Sequence, residues 1–152
     1  MMPFEIFKKG VDSYIAMGGE WIEFTPLAGD PLADVNLFDK ISYAKSAGIK
    51  KVSFATNAIL LDSRENYRRI IDSGVDWLQI STPGFDRSAY ERIYRTSKYD
   101  DVINGIINLA EYKKSTGSDI LIVTAFRIDR PIEQVYAEEG FLKLKKYYDQ
   151  GL

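Results

Sequence analysis

The sequence predicts an α/β protein built from parallel strand-helix units. Four short runs rich in β-branched and aromatic residues begin near positions 21, 51, 77 and 120, and amphipathic segments of helical period separate them. These spacings leave room for helical crossovers, which join parallel strands in right-handed units. A closed (β/α)₈ barrel takes about 200–250 residues. A chain of 152 residues with four strands therefore predicts an open sheet or part of a barrel.

The elements are expected in a regular order, within one domain spanning residues 1–152. Helices are expected over residues 4–17, 37–47, 63–73, 88–94, 99–114 and 131–148, and strands over residues 21–25, 51–56, 77–81 and 120–126. The last strand is the most continuous apolar run, which predicts burial on both of its faces. The strand aromatics, among them Trp21 and Phe54, are expected in the core.

Composition excludes several classes of function. The 20 Lys and Arg residues against 22 Asp and Glu leave no basic excess that would attract a nucleic acid or an anionic membrane. The chain has no Cys and no His, which excludes disulfides, thiolate nucleophiles, zinc sites built on these residues and His-based triads. The amino terminus has no apolar signal-peptide core, and no run approaches the roughly 18 apolar residues of a membrane span. A cytoplasmic location is the expectation.

A ligand site is expected where the strands end, because parallel α/β sheets bind ligands at the carboxyl ends of their strands. After the first strand, Gly29 allows a sharp turn and Asp30 offers a carboxylate to an ammonium group. An ordinary Gly-Asp-Pro turn explains the same residues. After the second strand, Thr56 and Asn57 suit hydrogen bonds to a ribose or an amide, or a simple loop cap.

The later strands end in residues that suit a carboxylate. Ser81 closes the third strand, and Arg95 ends the helix that follows, as a ligand for a carboxylate or as a solvated helix end. Arg127 follows the last strand, whereas Asp129 and Arg130 are expected to pair with each other. No strand is followed by Gly-x-Gly-x-x-Gly or by a P-loop, which argues against a doubly wound nucleotide-binding domain.

Three segments carry a family resemblance. They are residues 22–32 (IEFTPLAGDPL), 52–61 (VSFATNAILL) and 78–94 (LQISTPGFDRSAYERIY). Together and in this order they resemble the radical S-adenosylmethionine (SAM) core, particularly in members that carry a C-terminal SPASM-type extension. The resemblance covers most of the chain and implies a partial TIM-like barrel.

The same resemblance implies SAM as a ligand. In the family a Gly-Gly-Glu-Pro segment binds the amino group of the SAM methionine, and here Asp30 stands in place of the Glu. The Thr-Asn-Gly of the family has become residues 56–58, with Ala58 in place of Gly. The SAM-binding residues that the resemblance and the strand ends predict are Ala28, Gly29, Asp30, Pro31, Thr56, Asn57, Ser81, Arg95 and Arg127.

One departure limits what the resemblance implies. The family holds a [4Fe-4S] cluster with a Cys-x₃-Cys-x₂-Cys loop after its first strand, and this chain has no Cys. We therefore expect no radical chemistry from the chain alone. By family order its strands match the second to the fifth, so we expect a central fragment that lacks the cluster loop and the last strand. The alternative is a cluster-free scaffold whose sheet edges pair with a partner or a second copy.

Overall fold

The computed structural model describes residues 2–26 and 28–152 and has the predicted order of elements. Leu27, in the first segment of the resemblance, lies outside the described residues. The helices are Phe4–Ala16 (α1), Leu37–Ala47 (α2), Asn66–Asp72 (α3), Arg87–Tyr94 (α4), Tyr99–Thr116 (α5), Ile132–Tyr136 (α6) and Glu139–Tyr148 (α7), and the strands are Trp21–Glu23 (β1), Lys51–Thr56 (β2), Trp77–Thr82 (β3) and Leu121–Phe126 (β4). Within the described ranges, no helix combines the length and the apolar character that a membrane crossing requires.

The four strands form one parallel sheet in the order β1-β2-β3-β4. Strands in chain order with right-handed crossovers place their helices on the same side of the sheet. The burial of side chains agrees with this: Val52 and Phe54 in β2 and Leu78 and Ile80 in β3 are at most 1% exposed, and they alternate with less apolar neighbours. The core therefore lies between one face of the sheet and the helices. The prediction of α/β repeats that form part of a barrel is confirmed.

Both outer strands differ from the prediction. Within the described part of the chain β4 pairs only with β3, and its Leu121 is 57% exposed, so the prediction that this strand is buried on both faces is wrong. On the opposite edge Trp21 is 49% exposed, so its prediction as a core residue is wrong, whereas Phe54 is 1% exposed. The apolar character of a strand does not show whether it has neighbours on both sides, since that depends on its place in the sheet.

The helix predicted over residues 131–148 is divided into α6 and α7. Glu138, between them, has an extended backbone at φ −66° and ψ 140°. Its carboxylate accepts hydrogen bonds from the backbone N–H of Phe85 and from the guanidinium of Arg130. The break therefore turns a carboxylate toward the loop after β3.

The helix predicted over residues 63–73 begins later than expected. Arg64 and Glu65 have positive φ angles of 54° and 53°, in the left-handed region that interrupts a helix. A single 3₁₀ turn, Ser63–Glu65, precedes α3, which starts at Asn66. Sequence periodicity does not show such an interruption, because residues 63–66 carry no apolar side chain that would mark where the buried face of the helix begins.

Candidate functional site

Asp30 links the loops that follow β1 and β2. One carboxylate oxygen, Oδ2, accepts hydrogen bonds from Thr56 Oγ1 and from the backbone N–H of Asn57, both at 2.8 Å. The other, Oδ1, accepts from the N–H of Leu32 at 2.9 Å and so caps the 3₁₀ helix Pro31–Ala33. All three donors are neutral, and Asp30 forms no salt bridge with the described residues. The carboxylate thus joins two strand-end loops while its negative charge has no cationic partner there.

The loop before Asp30 is open on its outer side. Gly29 has φ +93°, a conformation that favours glycine. A Cβ added to Gly29 would meet no described atom within 4 Å, so conformation rather than crowding accounts for the glycine. Ala28 is exposed, whereas Pro31 is buried. The predicted SAM segment therefore has a fixed inner side and a free outer side.

A cleft of about 420 Å³ lies against this loop and is lined by acidic and aromatic side chains. The pair Lys40 Nζ–Asp34 Oδ2 lies on its wall at 2.6 Å, with side chains that are 6% and 17% exposed. Burial raises the pKa of Asp34, but hydrogen bonds from Lys40 and from the N–H of Asn36 outweigh it and bring the pKa below its ordinary value. Among the residues that the structure describes, the side chain of Glu23 accepts a hydrogen bond only from the neutral Thr25 hydroxyl, at 2.8 Å.

The charges of the described side chains that line this cleft do not balance. Lys40 cancels the charge of Asp34, which leaves the carboxylates of Glu23 and Asp30 as net negative charge among the lining residues. Phe7 and Phe24 supply apolar surface to the same cleft. Such a cleft suits a ligand that carries positive charge on an apolar stem.

The loop after β2 is fixed by its own polar side chains. Thr56 Oγ1 accepts from the N–H of Ala58 at 3.1 Å, and Asn57 Oδ1 accepts from the N–H of Ile59 at 3.0 Å. These are the contacts of a loop cap. The side-chain NH₂ of Asn57 donates no hydrogen bond to the described residues, so it is the group that this loop offers to a ligand. Ala58 is fully buried at φ +67°, at the position that the resemblance matches to a glycine.

The structure places the two predicted arginines differently. Arg95 ends α4 in a left-handed conformation, φ +51°, and its side chain is exposed. The side chain that reaches β3 is that of Tyr94, whose hydroxyl donates to the carbonyl of Ser81 at 2.9 Å. Arg127 is held by its backbone N–H, which donates to the carbonyl of Thr82 at 2.8 Å. Arg127 therefore lies at the carboxyl edge of the sheet, beside β3. Arg95 follows Tyr94, the residue of this helix that contacts β3.

Two tyrosines of α4 are functional candidates that the sequence analysis did not select. Tyr90 is fully buried, and its hydroxyl donates to the carbonyl of Asn57 at 2.9 Å. Burial raises the pKa of both Tyr90 and Tyr94, and the positive charge of Arg127 partly opposes this for Tyr94. Their spacing of four residues on an amphipathic helix predicts only a shared buried face. The direction of the hydroxyls is visible only in the folded chain.

The predicted pair of Asp129 and Arg130 is present, but Arg130 forms a closer ion pair with Glu138. Arg130 Nη1 lies 3.5 Å from Asp129, whereas its Nε donates to Glu138 at 3.0 Å and its Nη2 pairs with the same carboxylate. An added Cβ on Gly84, at φ +110°, would lie 2.4 Å from Arg130 Nη2. The loop after β3 thus passes directly against this ion pair.

The chain does not fit an iron-sulfur cluster by itself. No Cys is present among its 152 residues. In the described part of the chain, no three His, Cys, Asp or Glu side chains are grouped to hold a metal ion. Thiolates are the ligands that these clusters require.

The chain resembles known proteins in sequence. The profile of the Radical SAM superfamily matches residues 1–137. A curated relative, "Probable GTP 3',8-cyclase" of Methanococcus maripaludis, is 32% identical over 98 residues, which are 64% of this chain and 32% of the relative. The chain therefore spans about a third of the length of the curated relative that it matches. Members of this family use SAM and a [4Fe-4S] cluster. Since the profile match extends over most of its length, the chain belongs to the radical SAM superfamily.

Proposed function

We propose that the carboxyl edge of this sheet binds SAM, with the ammonium group of its methionine part against Asp30. The observation that carries this proposal is the carboxylate of Asp30, which three neutral donors hold in place and no described cation neutralises. A carboxylate accepts about four hydrogen bonds, so one position remains for the ligand. Glu23 adds a second uncompensated carboxylate to the same cleft. SAM carries both an ammonium and a sulfonium charge, which match this cleft.

The other predicted residues have roles that follow from their positions. The open side of Gly29 and Ala28 admits the ligand next to the backbone, and Pro31 supports the loop from below. The free NH₂ of Asn57 suits an acceptor on the nucleoside part. Arg127 suits the ligand carboxylate, and in this proposal Arg95 takes part only as a more distant charge.

The remaining assignments concern the edge between β2 and β3. Thr56 and Ser81 are buried, and their hydrogen bonds fix the strand ends next to the proposed ligand-binding side chains. When a reduced [4Fe-4S] cluster accompanies SAM, the family cleaves SAM reductively to start radical chemistry. Because this chain has no thiolate, we assign it SAM binding and not cleavage.

We further propose that the chain is the central part of a larger radical SAM core and that other polypeptide supplies the cluster ligands. The absence of Cys and the coverage of only 32% of the cyclase relative support this. Strands two to five of the family remain our assignment for the four strands. A SPASM-type extension and a cytoplasmic location stay predictions of the same kind.

The coding DNA tests this second proposal. We expect a Cys-x₃-Cys-x₂-Cys segment after a predicted strand, in frame upstream of the codon for Met1 or across a nearby frameshift. A genuine start signal at Met1 with no such segment upstream would contradict it. The protein would then be a cluster-free relative.

Calorimetry with the purified chain tests SAM binding. We expect SAM to bind more tightly than S-adenosylhomocysteine, which lacks the sulfonium charge, and both to bind more tightly than 5'-methylthioadenosine, which lacks the ammonium and the carboxylate. The order follows from the net negative charge of the cleft. Equal affinities for the three compounds, or no heat from folded protein at millimolar SAM, would overturn the proposal.

Self-association at the edge of β1 is a second candidate. The observation that favours it is a group of exposed apolar side chains in and next to α1 and β1, beside a strand edge that pairs with no other described strand. Its members are Met2, Ile6, Tyr14, Met17 and Trp21. Sedimentation at micromolar concentration would show a dimer that Trp21→Lys disrupts. A monomeric wild-type protein would exclude this candidate.

A further inference from the structure

Helix α4 meets the candidate site through two phenol hydroxyls. The hydroxyl of Tyr90 donates to the carbonyl of Asn57, and that of Tyr94 donates to the carbonyl of Ser81, both at 2.9 Å. These carbonyls belong to the residues at the ends of neighbouring strands, since β2 ends at Thr56 and β3 at Thr82. One helix therefore holds the backbone of two strand ends at once.

The two tyrosines also support each other. Their ring centroids lie 4.8 Å apart at an interplanar angle of 60°, a favourable edge-to-face arrangement. Tyr90 contacts a third ring, that of Tyr99, at 5.9 Å, and the hydroxyl of Tyr99 donates to the carbonyl of Phe85 in the loop after β3. The position of each hydroxyl is thus fixed by packing and not only by its own hydrogen bond.

Burial alone does not account for both hydroxyls. Tyr90 is fully buried, and a buried phenol requires a hydrogen-bond partner. Tyr94 is only partly buried and lies close enough to Asp30 and Arg127 for both charges to act on it. Water can satisfy the hydroxyl of a partly buried tyrosine. Burial therefore does not by itself require the hydrogen bond from Tyr94 to the carbonyl of Ser81.

We infer that Tyr90 and Tyr94 are positioning residues for the SAM site, which α4 holds in shape by bonding the carbonyls of Asn57 and Ser81. The inference rests on the proposed function for the identity of the ligand. Tyr90 sets the loop after β2, which faces the nucleoside part of the ligand in our proposal. Tyr94 sets the end of β3 beside Arg127, which faces the carboxylate.

Conservative variants test the separate roles of Tyr90 and Tyr94. Tyr94→Phe and Tyr90→Phe remove one hydroxyl each and keep the rings. Tyr112→Phe is the matched control, because the hydroxyl of Tyr112 bonds the carboxylate of Asp72 on the exposed surface between α3 and α5. Each protein is titrated with SAM and with 5'-methylthioadenosine, and its amide hydrogen exchange and thermal unfolding are recorded.

Each variant has a distinct expected pattern. Tyr94→Phe weakens SAM roughly five- to tenfold, as the loss of one hydrogen bond does, and leaves 5'-methylthioadenosine within about twofold. Tyr90→Phe weakens both compounds by a similar factor. Exchange quickens after β3 in the first variant and after β2 in the second, and the control changes neither affinity nor exchange at these loops.

Other outcomes overturn the inference. Equal losses for both compounds in both variants, together with lower unfolding temperatures and faster exchange throughout the core, would show that the tyrosines only stabilise the fold. Unchanged exchange at both loops would also contradict it. If wild-type protein binds no SAM, the proposed function fails, and the exchange arm still decides whether α4 positions the two strand ends.

Discussion

The two ends of β2 are held by the same kind of contact, yet they differ in charge. At the amino end, Asp76 Oδ2 accepts a hydrogen bond from the N–H of Val52 at 2.7 Å and from Lys45 Nζ at 2.6 Å. At the carboxyl end, Asp30 accepts from the N–H of Asn57 at 2.8 Å and from neutral donors only. A carboxylate from a neighbouring loop thus holds the backbone at each end of the strand.

The difference separates a structural carboxylate from one that is available to a ligand. Lys45 neutralises the carboxylate of Asp76, so this carboxylate offers no net charge to a ligand. Asp30 is equally well held, but its charge is open to a ligand. A negative charge that the fold fixes without neutralising it is the feature on which we base the SAM site.

Removal of the two carboxylates gives the largest expected effect. Asp30→Ala leaves three donors without their acceptor and should lower the free energy of unfolding by about 2–3 kcal/mol. Asp76→Ala loses one backbone contact and a partly exposed ion pair, and should cost about 1–2 kcal/mol. Urea unfolding of both variants measures the difference. A larger loss for Asp76→Ala would mean that the ion pair, not the number of bonds, determines stability here.

Alkaline pH should weaken the carboxyl end, where phenols hold loop carbonyls. Burial raises the pKa of Tyr99 to about 12 from an ordinary value near 10. The folded protein then keeps its proton to higher pH than the unfolded chain does. This contribution to stability is complete below pH 10 and is lost as the pH rises from 10 to 12. Chemical unfolding at pH 8 and pH 11.5 should show a smaller decrease in Tyr99→Phe than in wild type, and equal decreases would contradict the assignment.

Two fully buried alanines, one toward each end of the sheet, give the smallest expected effect. Ala58 lies after β2 at φ +67°, where glycine relieves about 1 kcal/mol of strain but loses a buried methyl of similar value. Ala58→Gly should therefore change stability by less than about 1 kcal/mol. Ala44→Gly, inside α2, should cost about 1–2 kcal/mol, since helix propensity and burial act together. Thermal unfolding of the pair checks the contrast, and equal losses would show that Ala58 is unstrained.

Much of the fold follows from patterns that the sequence displays locally. The apolar period of α2 and the glycine that ends it fix its bounds at Leu37–Ala47, as predicted. The strands β2 and β3 are likewise found within one residue of their predicted ends. Exposure at the outer strands, as at Leu121, was not predictable, because it depends on which strands have neighbours.

The candidate site was only partly predictable, for a related reason. Position after a strand identified the loops of Asp30 and Asn57, and the structure joins these loops through a hydrogen bond. It did not identify the partners that come from distant elements. Tyr94 of α4 and Glu138 before α7 reach the loops through side chains whose direction depends on helix packing. In the sequence alone, Tyr94 reads as part of a buried helix face and Glu138 as a surface residue.

The most direct measurement is a calorimetric titration of SAM into wild-type protein, Asp30→Asn and Asp76→Asn, each shown to be folded by circular dichroism. Both variants remove one negative charge at an end of β2 and keep the size of the side chain. We predict that Asp30→Asn weakens SAM binding at least tenfold, as expected for the loss of a charged contact, and that Asp76→Asn stays within about twofold of wild type. Undiminished binding by Asp30→Asn, or equal losses in both variants, would contradict the claim that the uncompensated charge of Asp30 holds the ligand.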